Sequence, residues 1–357
     1  MKNKSIQPIV VNATALSSGG GLSILRQFID NIPADFCARW LIFVSPDIEF
    51  VNSNPNIIIQ PIEGVKGLAQ RFIWDAYGLK KWLKVNNITP TACISLQNTS
   101  FRAGNKSTKH FIYYHQSIPF CKQRWNPFKK QERNLWFYKN IYPFFVKLFL
   151  KKRSQVYVQL DYIKQGFIKK FHLCSDNIKV FTPDVKLNTS SKPDITPTSD
   201  YINLFYPASS LFYKNHRVVA QAVSRCQTKV KFYTTTSVPA LNCVNTVQLG
   251  LLQPAEVQWM YQHCDALVFP SYIETFGLPL IEAALTGLPI IAADLPYAHE
   301  VLAGYEGAHF VAHDNPKAWM EAITLLEKGK RHTPINLSER PGWKELFEDI
   351  NNTIQTS

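Results

Sequence analysis

The stretch from Phe269 to Val301 carries two glutamates on either side of a Gly-Leu-Pro sequence. Glu274 lies in a predicted loop before that sequence, and Glu282 lies about one turn inside the helix that the sequence begins. A carboxylate accepts hydrogen bonds from hydroxyl groups, and the two hydroxyls of a ribose suit one carboxylate. The spacing therefore predicts that Glu274 contacts a sugar and that Glu282 contacts the ribose of a nucleotide. The alternative is a pair of solvated glutamates that the helix dipole favours.

Two apolar runs flank these glutamates and predict the elements that position them. Ala266 to Phe269 and Pro289 to Ala293 have the pattern of strands buried on both faces of a parallel sheet. Pro279 suits the first position of a helix, because its missing N–H needs no partner there. Ligands of such sheets lie beyond the carboxyl ends of the strands, where unpaired N–H groups of a helix favour an anion such as a diphosphate. The substrate-binding residues predicted at this helix start are Phe276, Gly277 and Leu278.

The same segment resembles the signature of glycosyltransferase family 4, a group of retaining, sugar-nucleotide-dependent transferases with the GT-B fold. That signature has two glutamates separated by seven residues, then Gly-x-Pro and a further glutamate. Here these are Glu274, Glu282, Gly287-Leu288-Pro289 and Glu300. The resemblance covers most of residues 201–313, whereas residues 1–185 resemble the family only in scattered places. It implies an α/β protein with two Rossmann-like doubly wound domains that face an interdomain cleft.

A glycine triplet follows the first predicted strand and begins a helix. In Ser17-Ser18-Gly19-Gly20-Gly21, the absence of Cβ atoms lets the backbone approach a phosphate or an acceptor. A flexible turn is the alternative. In the family a glycine-rich loop at this place faces the donor diphosphate, so the resemblance implies that Gly20 and Gly21 bind substrate.

Two further residues are candidates for catalysis beside Glu274. Lys214 follows the first predicted strand of the second domain, where a lysine neutralises the charge that diphosphate oxygens gain on leaving. Many family members carry an arginine a few residues earlier, but Ser209-Ser210 occupies that place here. His115 ends a predicted buried strand, and the family often has a histidine there, close to the sugar or the acceptor hydroxyl. The resemblance implies that His115 orients the sugar; a surface lysine and a structural histidine are the alternatives.

The sequence lacks the patterns expected of a metal site or a disulfide framework. It has no Asp-x-Asp motif, and Asp47 and Glu49 lie in a predicted loop of the first domain. Its seven cysteines are scattered, odd in number and without a Cys-x-x-Cys pair, which indicates a reducing compartment. We therefore expect no metal and no cofactor; a nucleoside-diphosphate sugar is a co-substrate.

Basic charge is concentrated in the first part of the chain. Residues 1–200 contain 28 Lys and Arg against 12 Asp and Glu, whereas residues 201–357 contain 11 against 14. Within Cys121 to Val158, ten basic residues accompany one acid, Glu132. Between them stand Trp125, Trp136, Phe137, Tyr138, Tyr142, Phe144, Phe145 and Phe149. Basic residues with aromatic rings are typical of a helix on an anionic membrane surface, so residues 121–158 are predicted to bind one. The alternative is a core helix followed by a solvated basic turn.

Other partners and segments are not expected. Nucleic acid is not predicted, because no zinc-finger spacing, helix-turn-helix pattern or aromatic ribonucleoprotein motif accompanies the charge. The first residues have too short an apolar run for a signal peptide, and no segment has the roughly 18 apolar residues of a spanning helix. The expected location is the cytoplasm, peripheral on the inner face of the plasma membrane.

The length and the alternation of strand and helix patterns predict two domains. We expect a first, acceptor-side domain over residues 1–187, a proline-bearing linker over 188–200 and a nucleotide-sugar-binding domain over 201–340. Residues 341–357 are predicted to form a helix, which the resemblance implies packs back on the first domain.

These features together predict a retaining, metal-independent glycosyltransferase of the hexosyltransferase type. Its expected acceptor is a lipid-linked or oligosaccharide glycan near a membrane, as in the synthesis of lipopolysaccharide O-antigen, capsule or exopolysaccharide. Two alternatives remain: a sugar-nucleotide epimerase or hydrolase of the same fold, and a non-catalytic, membrane-associated subunit that binds sugar nucleotides.

Overall fold

The computed structural model of the chain describes residues 7–36, 38–50, 54–187, 189–236 and 245–356. The chain divides into two compact units, Met1–Asp184 with Arg340–Ser357, and Val185–Glu339. Each unit is built on a parallel sheet with helices between its strands, so the prediction of two doubly wound, Rossmann-like domains is confirmed.

The first unit contains a seven-stranded parallel sheet with the order β3-β2-β1-β4-β5-β6-β7. Its strands are β1 (Ile9–Asn12), β2 (Trp40–Val44), β3 (Ile57–Pro61), β4 (Ala92–Ser95), β5 (Lys109–Tyr114), β6 (Gln155–Val158) and β7 (Ile178–Val180). Its helices are α1 (Gly19–Asp30), α2 (Leu68–Ile73), α3 (Leu79–Val85), α4 (Arg133–Asn140), α5 (Tyr142–Leu148), α6 (Asp161–Phe171) and α12 (Trp343–Gln355). Every residue of β1 and β2 is buried, as expected of strands that helices cover on both faces. The strand order reverses between β1 and β4, where sheets of this kind bind ligands.

The last helix of the chain, α12, is part of the core of the first unit. Trp343 and Phe347 are buried, and their rings lie 5.9 Å and 5.1 Å from the ring of Phe28 on α1. The Tyr157 hydroxyl donates to Asp349 Oδ2 at 2.7 Å, which joins the helix to β6. Buried aromatic side chains contribute more to the free energy of folding than most other side chains, so this helix stabilises the first unit substantially.

The second unit contains a six-stranded parallel sheet with the order β10-β9-β8-β11-β12-β13. Its strands are β8 (Ile202–Tyr206), β9 (Val230–Thr234), β10 (Thr246–Gln248), β11 (Ala266–Phe269), β12 (Ile290–Ala293) and β13 (Ala308–Val311). Its helices are α7 (His216–Val223), α8 (Pro254–His263), α9 (Leu278–Ala284), α10 (Pro296–Val301) and α11 (Pro316–Thr324). The order reverses between β8 and β11, so the loops after these two strands meet at one edge of the sheet.

The segment predicted as a linker is attached to the second unit. Its described residues, 189–200, belong to the second unit. They are tied to it by the Tyr233 hydroxyl, which donates to Thr196 O at 3.4 Å, and by Asn203 Nδ2, which donates to Thr198 O at 2.9 Å. Backbone carbonyls of this segment thus accept hydrogen bonds from side chains on β9 and β8.

Candidate functional site

The loops after β8 and β11 bring two of the predicted catalytic side chains together. Lys214 ends a short helical turn, Phe212–Lys214, that follows β8, and Glu274 lies between β11 and α9. Lys214 Nζ lies 2.5 Å from Glu274 Oε1, and the side chains are 18% and 13% exposed. The two opposite charges are therefore paired in a mostly desolvated position, where their interaction is stronger than on an open surface.

Hydrogen bonds to the backbone hold this ion pair in place. The Tyr206 hydroxyl donates to Lys214 O at 3.0 Å, and Tyr272 N–H donates to Tyr213 O at 3.1 Å. The Tyr297 hydroxyl donates to Ser271 O at 2.6 Å. The loop that carries Lys214 is thus tied to the loop that carries Glu274, so the position of the pair follows from the backbone.

Glu282 has a different environment from that of Glu274. It lies on α9, and its Oε2 accepts a hydrogen bond from the Tyr261 hydroxyl on α8 at 2.9 Å. Desolvation by burial raises the pKa of Glu282 above its ordinary value of 4.5, although the bond from Tyr261 acts in the opposite direction. A carboxylate held in this way is positioned to accept further hydrogen bonds from hydroxyl groups.

The predicted substrate-binding residues before α9 form a compact turn. Phe276 is buried, and Gly277 has φ +88°, a conformation that favours glycine. A Cβ at Gly277 would also approach Leu280 Cδ1 to 3.3 Å. The helix begins at Leu278, one residue before the predicted start at Pro279.

The glycine triplet lies at the start of α1 in the first unit. Gly19 has φ +56°, so it is the member of the triplet whose backbone favours glycine. A Cβ at Gly20 would have open space around it, and one at Gly21 would meet Leu16 Cδ2 at 3.1 Å. The predicted roles of Gly20 and Gly21 therefore depend on the approach of a ligand rather than on a backbone requirement.

His115 follows β5 in the first unit and is half-buried. Its backbone N–H donates to Asn98 Oδ1 at 2.6 Å, and its Nε2 lies 2.7 Å from the carbonyl oxygen of Leu96. A carbonyl oxygen only accepts, so this contact requires the proton on Nε2. Burial lowers the pKa of the imidazole, which keeps the ring neutral near pH 7. The ring is fixed in orientation, as a residue that positions a substrate would be.

Asp75 is a buried acid that the sequence analysis missed. It lies in a π-helical turn, Trp74–Gly78, and is 5% exposed. Its Oδ1 accepts from Asn12 Nδ2 at 2.8 Å and Gln97 Nε2 at 2.9 Å, and its Oδ2 accepts from the Thr99 hydroxyl at 3.2 Å. Desolvation raises the pKa of Asp75 from 3.8 to about 7 despite these bonds. The signal in the sequence is an acid within an apolar helical run, and π-turns often occur at functional sites.

The basic and aromatic stretch at 121–158 is partly buried, although Phe128 within it is 94% exposed. Of its eight predicted interfacial aromatic residues, only Phe144 is exposed, whereas Tyr142 and Phe149 are buried. The ammonium of Lys139 donates to the carbonyl oxygens of Cys121 and Gln123. Most of these rings therefore pack within the first unit, and the exposed apolar side chains include others on α2 and in the π-turn.

Among the residues that the structure describes, no group of three or more His, Cys, Asp or Glu side chains is arranged to hold a metal ion.

Within the same described part of the chain, no helix combines the length and the apolar character needed to cross a membrane.

Comparisons with known proteins match both units. Residues 237–341 match the family model for glycosyl transferases group 1. The chain is 28% identical over 206 residues to the O-antigen chain mannosyltransferase RfbU of Salmonella typhimurium, an alignment that covers 52% of this chain and 54% of that protein. The chain thus spans about half the length of this relative.

Two solved structures share the architecture of nearly the whole chain. The Anabaena protein Alr3699/HepE, in complex with UDP and glucose, has a TM-score of 0.64 at 14% identity, covering 98% of this chain and all of that one. WaaG, a glycosyltransferase involved in lipopolysaccharide biosynthesis, has a TM-score of 0.64 at 13% identity, covering 97% and 95%. At these identities the likeness shows the fold, which is GT-B. The resemblance of the segment around Glu274 and Glu282 to this family is confirmed, since both glutamates lie within the residues 237–341 that match the model for glycosyl transferases group 1.

Proposed function

We propose that this protein is a retaining, metal-independent glycosyltransferase that moves a sugar from a nucleoside-diphosphate sugar to a membrane-proximal glycan acceptor. The observation that carries the proposal is the contact between Lys214 and Glu274, which the loops after β8 and β11 hold at the strand ends. A cation and a carboxylate in contact suit the diphosphate and the sugar of one donor molecule.

Each side chain has a role in the proposed reaction. The bond between the anomeric carbon and the diphosphate breaks, and the acceptor oxygen forms a new bond to that carbon on the same face. The acceptor proton passes to the leaving diphosphate, so the reaction needs no other reagent. Lys214 neutralises the charge that the diphosphate gains, Glu274 accepts hydrogen bonds from the sugar, and Glu282 accepts them from the ribose. His115 orients the sugar or acceptor as a neutral imidazole.

The relatives support a glycan acceptor and a hexose donor. RfbU is an O-antigen chain mannosyltransferase, and WaaG is involved in lipopolysaccharide biosynthesis. We extend this to a lipopolysaccharide, O-antigen or related polysaccharide acceptor for the present chain. Such acceptors are carried by membrane lipids, so we also propose that the protein works on the cytoplasmic face of the membrane as a peripheral protein.

Thermal stabilisation by a panel of UDP- and GDP-sugars tests the donor part of this proposal. A ligand that binds only the folded protein and is present at about 100 times its Kd raises the free energy of unfolding by about 2.7 kcal/mol. We expect one nucleotide class to raise the Tm of the wild type and to do so less for Glu282→Ala. A complete panel that leaves the Tm unchanged would argue against a sugar-nucleotide site.

Chelation tests the metal-independent part. Because Lys214 is proposed to meet the charge of the diphosphate, sugar transfer should survive EDTA. Rates before and after chelation are the measurement. A complete loss of transfer that magnesium or manganese restores would contradict the proposed role of Lys214.

A further inference from the structure

The first unit contains a cavity of about 330 Å³ between α2 with its π-turn and the pair α4 and α5. Its wall is mainly aromatic. The ring of Phe72 lies 5.8 Å from that of Phe145 and 5.9 Å from that of Phe149, which joins the helices across the cavity. Phe137, Tyr138 and Tyr142 extend this wall. Binding cavities of this kind have volumes of about 300–1,000 Å³, so this one accommodates a short hydrocarbon segment.

Polar groups occupy one side of the cavity. Gln97 and Thr99 line it, but both donate to the carboxyl of Asp75 and are already engaged. Arg71 also lines it, and its buried Nε has no hydrogen-bond partner among the residues that the structure describes. A buried donor without a partner costs free energy, so Arg71 is a donor that an oxygen of a ligand would satisfy.

Exposed apolar side chains occur on the same helices that form the cavity. Leu68, Ile73 and Tyr77 are 55%, 59% and 66% exposed on α2 and the π-turn, and Phe144 is 63% exposed on α5. Grouped exposed apolar residues mark surfaces that contact another apolar phase. Leu68 also lines the cavity, so the helices around the cavity carry exposed apolar side chains that are suited to lipid.

The fixed charges around the aromatic wall favour an anion. The guanidinium of Arg102 lies 5.2 Å from the centre of the Phe149 ring, and Arg71 lies in the cavity itself. The acid in the cavity, Asp75, opposes an anion less than an ordinary carboxylate would, because burial raises its pKa to about 7. Arg71 within the cavity and Arg102 beside the Phe149 ring are therefore two cations that favour an anion.

We infer that this cavity binds the hydrocarbon chain of a membrane lipid with a phosphate headgroup, and that Arg71 contacts the phosphate. The inference rests on the proposed function in one respect, because this lipid is the carrier of the acceptor glycan. Hydrocarbon binding supplies affinity through the aromatic wall, and the arginine orients the end of the chain to which the glycan is attached.

Farnesyl phosphate is the probe, with farnesol and inorganic phosphate as partial ligands. The wild type should bind farnesyl phosphate more tightly than farnesol, and inorganic phosphate more weakly than either, in isothermal titration calorimetry. Ala69 is exposed and lines the cavity, so Ala69→Trp adds a ring at the cavity wall and should weaken binding about tenfold or more, as expected when two or more CH₂ groups lose their burial. Gln70→Trp adds the same ring one residue away, at an exposed position that does not line the cavity, and should leave the affinity unchanged.

Arg71→Gln separates the two parts of the ligand and does not depend on whether Ala69→Trp folds. It should weaken the binding of farnesyl phosphate by about tenfold, since a hydrogen bond to a charged group is lost, and leave that of farnesol unchanged. Unfolding midpoints of all variants identify any general loss of structure. Farnesyl phosphate that the wild type does not bind, or that both tryptophan variants bind equally well, would overturn the inference.

Titration of the same variants with sugar nucleotide separates this inference from the proposed function. If every variant binds the sugar nucleotide, and only Ala69→Trp and Arg71→Gln bind farnesyl phosphate more weakly than the wild type, both the lipid cavity and the proposed transferase are supported. Lipid binding with the predicted pattern but no donor binding by the wild type supports the cavity and contradicts the proposed transferase.

Discussion

Glu274 and Glu282 have different partners in the second unit, and this difference predicts different defects on substitution. Glu274 is paired with Lys214, whereas Glu282 accepts a hydrogen bond from Tyr261. Glu282→Ala should weaken the binding of free nucleoside diphosphate by about tenfold to a hundredfold, because a hydrogen bond to a charged group contributes about 1.5–3 kcal/mol. Glu274→Gln should leave that affinity nearly intact and lower kcat. Calorimetry with the free nucleotide and initial rates of transfer measure the two effects.

A glutamate outside the site provides the control for this pair. Glu321 on α11 is 58% exposed and pairs with Lys317, so Glu321→Gln should change neither nucleotide affinity nor kcat. Equal loss of free-nucleotide binding in Glu274→Gln and Glu282→Ala would mean that the two roles are assigned wrongly.

The buried position of Glu282 also predicts how stability depends on pH. Burial raises its pKa above 4.5, so the folded protein favours the protonated acid. Its contribution to stability is therefore full below pH 4.5 and is lost as the pH rises through the raised pKa. Glu282→Gln removes this titration and should have a higher Tm than the wild type at pH 7 without ligand, and a similar Tm near pH 4. Thermal unfolding followed by circular dichroism is the measurement. A lower Tm for Glu282→Gln than for the wild type at pH 7 would mean that the buried Glu282 carboxylate does not destabilise the folded protein.

At the scale of elements, Asp75 joins the π-turn to the ends of β1 and β4. Its carboxyl accepts from Asn12 on β1 and from Gln97 just after β4. Asp75→Ala leaves these buried donors without their acceptor, so it should lower the free energy of unfolding by about 2–5 kcal/mol. The difference should be larger at pH 5 than at pH 8, because a pKa raised to about 7 makes the wild type lose stability as the pH rises from about 4 to 7. Urea denaturation at both pH values measures it.

Asp47 supplies the comparison for Asp75. It is 57% exposed, and its ion pair with Lys66 is open to solvent, so Asp47→Ala should cost no more than about 1 kcal/mol at either pH. Similar losses for the two variants would show that the bonds to Asn12 and Gln97 do not stabilise the turn.

The strands were the most predictable elements. Four consecutive apolar residues between Pro289 and Asp294 predicted β12, because a strand buried on both faces needs an uninterrupted apolar run. The helical pattern of Leu68 to Val85 predicts a single helix, whereas the structure has two α-helices with a π-turn between them. Helical periodicity does not distinguish these cases, since one extra residue in a turn shifts the pattern only locally.

The site was predictable where neighbouring strands bring residues together. Lys214 and Glu274 follow β8 and β11, which pair in the sheet, so their loops meet at its edge. The partner of Glu282 was not predictable in this way. Tyr261 lies on another helix, and only the packing of α8 against α9 brings its hydroxyl to the carboxylate.

At the scale of the whole molecule, charge differs between the two parts of the chain. Residues 1–200 have a net charge of +16, from 28 basic and 12 acidic residues, and residues 201–357 have a net charge of −3, from 11 and 14. Such asymmetry favours attraction of the first part to an anionic surface. Most of the aromatic residues predicted to be interfacial in 121–158 are half-buried, whereas Phe128 and Phe144 in that stretch are 94% and 63% exposed. The exposed apolar side chains Leu68, Ile73 and Tyr77 extend the expected apolar contact, and the basic residues remain available for electrostatic attraction.

This charge distribution predicts binding to anionic vesicles that weakens with salt, since exposed charges are screened over about 8 Å at physiological ionic strength. Lys152 and Arg153 are exposed and can be replaced to test this attraction. The neighbouring Lys151 Nζ lies 2.7 Å from His110 Nε2, so Lys151 is left unchanged. The double substitution Lys152→Ser and Arg153→Ser should reduce the free energy of vesicle binding by about 2 kcal/mol at most, at about 1 kcal/mol for each basic residue near the surface.

The control is the double substitution Lys317→Ser and Lys330→Ser, which removes the same charge from the acidic second unit and should leave vesicle binding unchanged. Co-sedimentation with neutral and anionic vesicles distinguishes these outcomes. If the wild type sediments equally with both kinds of vesicle, the excess of basic residues does not direct the protein to a membrane, and a soluble acceptor becomes the better hypothesis.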